Sequence, residues 1–459
     1  MIKIINPATE TLIREIEEDS PSVITDKFNR AKAAQGRWKH TPLAERLKCI
    51  QKFKTLMIEN KEKLSATLTS EVGKPIAQAR NELGGLIGRL DFFIAETERT
   101  IKDEEIWQDE AKTMHEKITH EPLGVVVNIS AWNYPYFVGA NAFIPALLTG
   151  NAVLYKPSEF ALLSGLAIAD ALHEAGIPKD VFIPVIGAGA AGAELLKQNI
   201  NGVYFTGSYA TGKKIAEAVA GRMIRVQLEL GGKDPVYVTE DVPVKAAAEG
   251  LADGAFYNNG QSCCSVERIY VHEKVYQEFV DAFVATTKSF VIGDPTDDKT
   301  YIGSLTRPSH IQFLEKQVAD AKQKGAKLLV GGARIQGRKG SYFEPTVFTD
   351  VNHTMELMRE ESFGPIIGIQ KVGSDHEALT LMNDSQYGLT AGVYCRDEKR
   401  ASNILAEVNS GTVYWNCCDR VSPKLPWSGR GHSGIGCTLS HYGIEAFTQP
   451  KAWHLRKSQ

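Results

Sequence analysis

Between residue 22 and about residue 100, apolar positions recur every three or four residues among lysines and glutamates. Leu47, Ile50, Phe53 and Met57 mark one such stripe, the signature of an amphipathic helix. From Gly124 the period changes. Short β-branched runs (Val125–Ile129, Val153–Tyr155, Val181–Ile186, Val203–Phe205, Val226–Leu228 and Val236–Val238) alternate with helical segments. The best-marked of these helices opens at Ser158, a residue type that caps helices, and closes at Gly176. Apolar strands alternating with helices predict a parallel sheet covered on both faces. A second α/β stretch runs from Val242 to about Tyr394, with a polar, glycine-bearing segment near Gly331–Gly340. Two segments stand outside this alternation. Lys112–His120 and Ala446–Arg456 both read as extended and lack a helical neighbour in sequence. They are expected to pair with each other, within one chain or across a subunit boundary.

Composition narrows the classes of function. A chain of 459 residues exceeds what one core serves, so two or more compact domains are expected. A net charge of -3 argues against a nucleic-acid or anionic-membrane partner, either of which would favour a basic face. The most apolar stretches, Phe137–Leu148 and Val181–Ala193, are too short and too glycine-rich to span a bilayer. The first residues, MIKIINPATE, show no export signal, and the seven cysteines are an odd number. Both features predict reduced thiols in a cytoplasmic setting. The adjacent pairs Cys263-Cys264 and Cys417-Cys418 lack zinc spacing, so no metal site is expected.

Several turns carry candidate chemistry. Gly187-Ala188-Gly189-Ala190-Ala191-Gly192 fits G-x-G-x-x-G after a strand, but no acid follows about twenty residues on, where Val203-Tyr204-Phe205-Thr206-Gly207-Ser208 stands instead. Gly207 and Gly212 bracket a better-placed turn between strand and helix, where close backbone approach and a helix N-terminus suit a phosphate, and Ser208 adds a hydroxyl. Lys156 and Glu159 sit just past a strand's carboxyl end, where doubly wound sheets bind ligands. A carboxylate there suits ribose hydroxyls and repels a 2′-phosphate. An ordinary turn and a solvated ion pair are the plain alternatives for these two sites. Cys263 lies in the polar turn Asn259-Gly260-Gln261-Ser262-Cys263-Cys264, outside apolar periodicity, as an exposed nucleophile does. Glu229 ends a strand beside Gly231-Gly232, placed to act as a base. Asn133, in Ala131-Trp132-Asn133-Tyr134-Pro135, offers an oxyanion-type amide donor. Each alone is also compatible with a structural role.

Together these segments resemble the aldehyde dehydrogenase superfamily over nearly the whole chain, from Asn6-Pro7-Ala8-Thr9 to Ala446–Thr448. The most specific matches are Leu228-Glu229-Leu230-Gly231-Gly232-Lys233 and Gly260-Gln261-Ser262-Cys263. Trp132-Asn133, Lys156-Pro157-Ser158-Glu159, Phe205-Thr206-Gly207-Ser208 and Glu360-Glu361-Ser362-Phe363-Gly364-Pro365 support them. The resemblance implies that Cys263 is the nucleophile, Glu229 the general base, and the Asn133 amide with the Cys263 N–H the oxyanion hole. It implies that NAD, rather than NADP, is held by Trp132, Lys156, Glu159, Thr206, Gly207, Ser208, Gly212, Leu230, Glu361 and Phe363. The G-x-G-x-x-G segment is then mostly a packing turn.

The implied architecture is α/β, with two doubly wound parallel-sheet domains and a small β arm. Residues 1–105 and 122–231 are assigned to a Rossmann-like cofactor domain and 232–435 to a catalytic domain. Residues 106–121 and 436–459 are assigned to an oligomerisation arm of a homodimer or homotetramer. The implied reaction oxidises a small-molecule aldehyde to its acid through a thioester on Cys263. The alternatives are transfer of the acyl group to coenzyme A, whose family members generally lack the glutamate found as Glu229, and a non-redox cysteine esterase or structural relative. The substrate is not named by these residues. Tyr134 and Trp427 match aromatic positions that betaine- and amino-aldehyde enzymes use for a cationic head, yet the third such position falls at Asn141, and Arg420 would repel a cation. The segment Leu425-Pro426-Trp427-Ser428-Gly429-Arg430-Gly431-His432 also departs from the P-F-G-G-lysine pattern common among relatives, at what would be the substrate entrance.

Overall fold

A computed structural model describes residues 1–458. Five of the expected strands form the parallel part of a six-stranded sheet. Its order is Gly434–Ile435, Arg225–Glu229, Gly202–Thr206, Val125–Ile129, Ala152–Lys156, Phe182–Pro184, with only the first strand antiparallel. Numbered along the chain, the five parallel strands run 3-2-1-4-5, the order whose reversal beside Val125–Ile129 opens a ligand crevice at the strands' carboxyl ends. Val125–Ile129 is buried throughout because both sheet faces are covered. Val126, Val153 and Tyr155 pack on one side against helices Leu43–Glu59, Ile76–Thr100 and Ala140–Leu148. Val125, Val127 and Leu154 pack on the other against Pro21–Trp38 and Gly189–Lys197.

A second, seven-stranded sheet begins at Asp234–Val238, immediately after the glutamate motif. It also contains Val266–His272, Thr346–Thr349, Ile366–Val372, Thr390–Tyr394 and Thr412–Trp415, all parallel, and one antiparallel edge strand, Lys327–Val330. Its two faces carry separate apolar clusters, with Tyr237 and Tyr270 on one side and Val236, Val238 and Val271 on the other. The chain then returns to the first sheet, where Gly434 pairs with Glu229.

The two extended segments do pair. Thr448–Arg456 runs antiparallel to Met114–Pro122 in one chain, from Thr448 opposite Pro122 to Arg456 opposite Met114. Glu104–Gln108 adds a third strand to this sheet.

Two local expectations are corrected. The helix expected from Ser158 begins at Leu162. The Ser158 hydroxyl accepts only the N–H of Phe160, and the helix N-terminus is capped from a distance by the buried Glu71 carboxyl, which accepts from Leu163 and Ser164 at 2.8 and 2.7 Å. The strand expected over Val181–Ile186 is confined to Phe182–Pro184. In the glycine-rich segment after it, the Ala188 N–H is taken by Glu18, and a side chain on Gly187 would strike Ala191. That turn is made for packing.

Candidate active site

The cysteine turn owes its shape to Asn-Asn-Gly. Asn258, Asn259 and Gly260 all take positive φ, a conformation Asn and Gly adopt at least cost. A side chain on Gly260 would meet the backbone of Gly364, so this glycine also permits a close approach to the Glu361–Phe363 loop. Side-chain amides lock the turn. Asn259 donates to Ser304 O at 3.0 Å, Asn258 donates to Gln261 O at 3.0 Å, and Gln261 Oε1 accepts the Thr306 N–H at 3.1 Å. Cys263 emerges half-buried, whereas Cys264 is buried with its thiol on Asp419 at 3.0 Å. Burial lifts Asp419 to a pKa of about 7.

Asn133 follows the central strand and reaches this turn directly. Its Nδ2 donates to Gln261 O at 3.1 Å, which engages one of its two N–H bonds. Its own carbonyl accepts from Lys74 at 2.6 Å and from Asn258 at 3.3 Å. Lys74 is paired with the equally buried Glu82, whose second oxygen accepts the Tyr136 N–H. An ion pair inside the protein therefore fixes the backbone around Asn133.

Glu229 ends its strand at the carboxyl edge of the first sheet and is buried. Oε1 accepts from Gln227 and from Thr438, both at 3.1 Å, while Oε2 has no partner. Burial raises its pKa to about 8, with the two donors pulling the other way. The carboxyl has no hydrogen bond to Cys263 among the described residues, so the two are not brought into contact in this conformation.

The remaining predicted residues gather at the ends of the first sheet's strands and in the Glu361–Phe363 loop that meets them. The Gly207 N–H donates to Glu229 O at 3.0 Å, and Thr206 pairs with Glu229 in register. Ser208 caps the helix Tyr209–Val219, accepting the Thr211 N–H, and Leu230 fills the space over Gly212. Lys156, nearly buried, lies 3.6 Å from the one-third-exposed Glu159. Glu361 accepts the Gly232 N–H at 3.1 Å and rests where a Gly231 side chain would stand. Burial, with Glu267 nearby, raises its pKa to about 8. A side chain on Gly232 would lie 2.6 Å from Cys263 O, which puts the two motifs in van der Waals contact. Trp132 and Phe363 meet edge-to-face with centroids 5.5 Å apart.

Residues not singled out in the sequence hold this arrangement. Lys233 and Glu267 form a buried ion pair, and Glu267 accepts the N–H groups of Ser362 and Phe363. Phe363 itself has positive φ. Arg307 lies 5.6 Å from the Trp132 ring centre. A period-two reading of the strand would have found Gln227, which shares a face with Glu229.

Tyr134 does not present a free ring face. Phe137 stacks on it at 4.9 Å, and Lys74 Nζ lies 3.7 Å from its centre. Trp427 is buried in the apolar core against which Phe137 packs. The Arg420 carbonyl accepts from Tyr414, and its side chain is exposed.

The fold and this crevice are those of a two-sheet oxidoreductase, and comparison with known proteins agrees. Residues 1–453 match the model of the aldehyde dehydrogenase family. A peroxisomal aminoaldehyde dehydrogenase 2 of Malus domestica is 34% identical over 461 residues, covering 98% of this chain and 91% of that protein. The crystal structure of an NAD-dependent aldehyde dehydrogenase from Sinorhizobium meliloti superposes with a TM-score of 0.96 at 32% identity, covering 99% of this chain and 91% of that one. An Escherichia coli NADP dependent enzyme gives 0.95 at 30%, covering 99% and 95%. The chain belongs to the aldehyde dehydrogenase family and is an oxidoreductase acting on aldehydes.

Proposed function

We propose that the protein oxidises its aldehyde to the free carboxylic acid, with NAD as hydride acceptor and water as acyl acceptor. The observation that carries this is Glu229: a buried carboxyl at the crevice edge with one oxygen unpartnered and a pKa raised to about 8, as a general base requires. Cys263 is the nucleophile. Its thiolate adds to the carbonyl carbon, and the resulting oxyanion is held by the free N–H of the Asn133 amide and the Cys263 N–H. When bound, the cofactor would supply the hydride acceptor. Loss of hydride from the same carbon leaves a thioester on Cys263. Glu229 Oε2 then takes a proton from water as its oxygen attacks the thioester, releasing the acid and the Cys263 thiol. Glu229 also distinguishes this reading from transfer to coenzyme A and from a non-redox esterase or structural role.

The crevice suits a dinucleotide. Lys156 and Glu159 stand at a strand end where an adenosine ribose is held, with Glu159 accepting from its hydroxyls. Gly207, Ser208 and Gly212 with the start of Tyr209–Val219 suit the pyrophosphate, flanked by Thr206 and Leu230. Glu361, Phe363 and Trp132 suit the nicotinamide end. A carboxylate at residue 159 favours NAD over NADP by like-charge repulsion. We assign residues 1–105 and 122–231 to the cofactor, 232–435 to catalysis, and 106–121 with 436–459, which carry most of the three-stranded sheet, to subunit contact. Exposed Ile106, Trp107 and Leu455 on that sheet support an assembly role. Mixing the purified protein with NAD and a panel of small aldehydes, and following NADH absorbance, tests the whole reading. NADH formation without coenzyme A is the expected result.

A further inference from the structure

Arg89, on the helix Ile76–Thr100, is a buried cation without a salt-bridge partner among the described residues. Its Nε donates to Asn141 Oδ1 and its Nη1 to Gly85 O, both at 3.0 Å. Its Nη2 has no hydrogen-bond partner among the described residues. The carboxylate whose field reaches it, Glu82, is already bonded to Lys74 and to the Tyr136 N–H. Gly85 lies beside it: a Cβ built there would stand 3.4 Å from Nη1 and 3.5 Å from Phe137, in ordinary van der Waals contact with both. The guanidinium lies 4.0 Å from the Phe137 ring centre, Phe137 stacks on Tyr134, and Tyr134 sits next to the catalytic amide Asn133. Cys264, beside the nucleophile, is among the groups whose field reaches Arg89.

These contacts reverse the sign expected of a cation-binding aromatic box. Tyr134 is covered by Phe137 and by the chain's own Lys74 ammonium, and the third position, Asn141, turns its carbonyl to a guanidinium. The half-buried carboxyl on this side, Asp419, is taken by the Cys264 thiol. What is left without a protein partner among the described residues is a positive edge, Arg89 Nη2. A buried guanidinium with a spare N–H pays for its desolvation best when it meets a carboxylate.

Resting on the dehydrogenase reading above, we propose that Arg89 receives a carboxylate at the far end of the substrate, so that the preferred substrates are aldehydes bearing a terminal carboxylate rather than an ammonium group. The test compares three aldehydes of equal chain length, ending in methyl, carboxylate or trimethylammonium, with the full-length protein and NAD. The carboxylate should exceed the methyl compound in kcat/KM by on the order of tenfold or more, chiefly through KM, as a charge-assisted bond implies. The trimethylammonium compound should be the poorest. In Arg89→Met the carboxylate-to-methyl ratio should fall to near one, and Arg89→Lys should retain part of it. A saturated dicarboxylate of the same length should raise the Tm of the wild type and not of Arg89→Met, which reads binding without turnover. A best rate with the trimethylammonium compound, or an unchanged ratio in Arg89→Met, overturns the proposal. Absence of NADH with all three aldehydes contradicts the dehydrogenase reading instead, while the dicarboxylate shift still decides the role of Arg89.

Discussion

Gln227 and Glu229 project from the same face of one strand, and the Gln227 amide donates to Glu229 Oε1 at 3.1 Å. This bond, with that of Thr438, favours the charged carboxylate against burial, which favours the neutral acid. Glu229 is therefore mostly protonated below a pH of about 8 and gains its basicity as pH rises through that value. Steady-state turnover should climb along a limb centred near there. Gln227→Leu removes one lowering contact and should move the limb upward, and Glu229→Gln should remove it. A turnover profile that is flat between about pH 6 and 9 in the wild type, a window of roughly three units that spans the expected midpoint, would contradict the assignment.

Gly231 has no space for a side chain because the Glu361 carboxyl occupies that position. Gly231→Ala should push Glu361 away from the Gly232 N–H and loosen the nicotinamide end. The expected outcome is a raised KM for NAD with little change in Tm, measured by initial rates and thermal melting. An unchanged KM would separate Glu361 from cofactor binding.

Lys233 and Glu267 are both buried, and Glu267 alone ties down the N–H groups of Ser362 and Phe363. Removing one partner strands the other charge. Lys233→Met should lower stability by about 3–5 kcal/mol in denaturant melts. Glu267→Gln, which keeps the shape, should also weaken NAD binding by freeing the loop that carries Phe363. A loss of stability below about 1 kcal/mol for Lys233→Met would show the pair to be energetically neutral.

Glu159 stands just past the strand Ala152–Lys156, one-third exposed beside Lys156. Glu159→Ser should narrow the preference for NAD over NADP, mainly by improving KM for NADP. Equal efficiency with both cofactors in the wild type would reject the role given to this carboxylate.

The parallel strands were legible because a strand buried on both faces must read as a continuous apolar run, as Val125–Ile129 does. The arm was legible for the opposite reason, since polar extended segments such as Met114–Pro122 need a partner strand. The cysteine and glutamate motifs stood out because polar residues interrupt apolar periodicity where chemistry demands them. What escaped is tertiary. Ser158 looked like a helix cap, but Glu71, 92 residues away from Leu163 in sequence, does that work. Lys74, Glu82, Lys233 and Glu267 look like solvent-facing charges until the fold buries each beside its partner. Asn141 was visible as a departure from an aromatic box, but the Arg89 guanidinium that faces it comes from a helix 52 residues earlier.

The central claim is that Cys263 forms a thioester which Glu229 resolves with water. Rapid mixing of Glu229→Gln with NAD and an aldehyde tests it most directly. The account predicts an NADH burst near one equivalent per active site followed by very slow turnover, and no burst in Cys263→Ala. Full steady-state turnover by Glu229→Gln without coenzyme A, or a burst in Cys263→Ala, would contradict it.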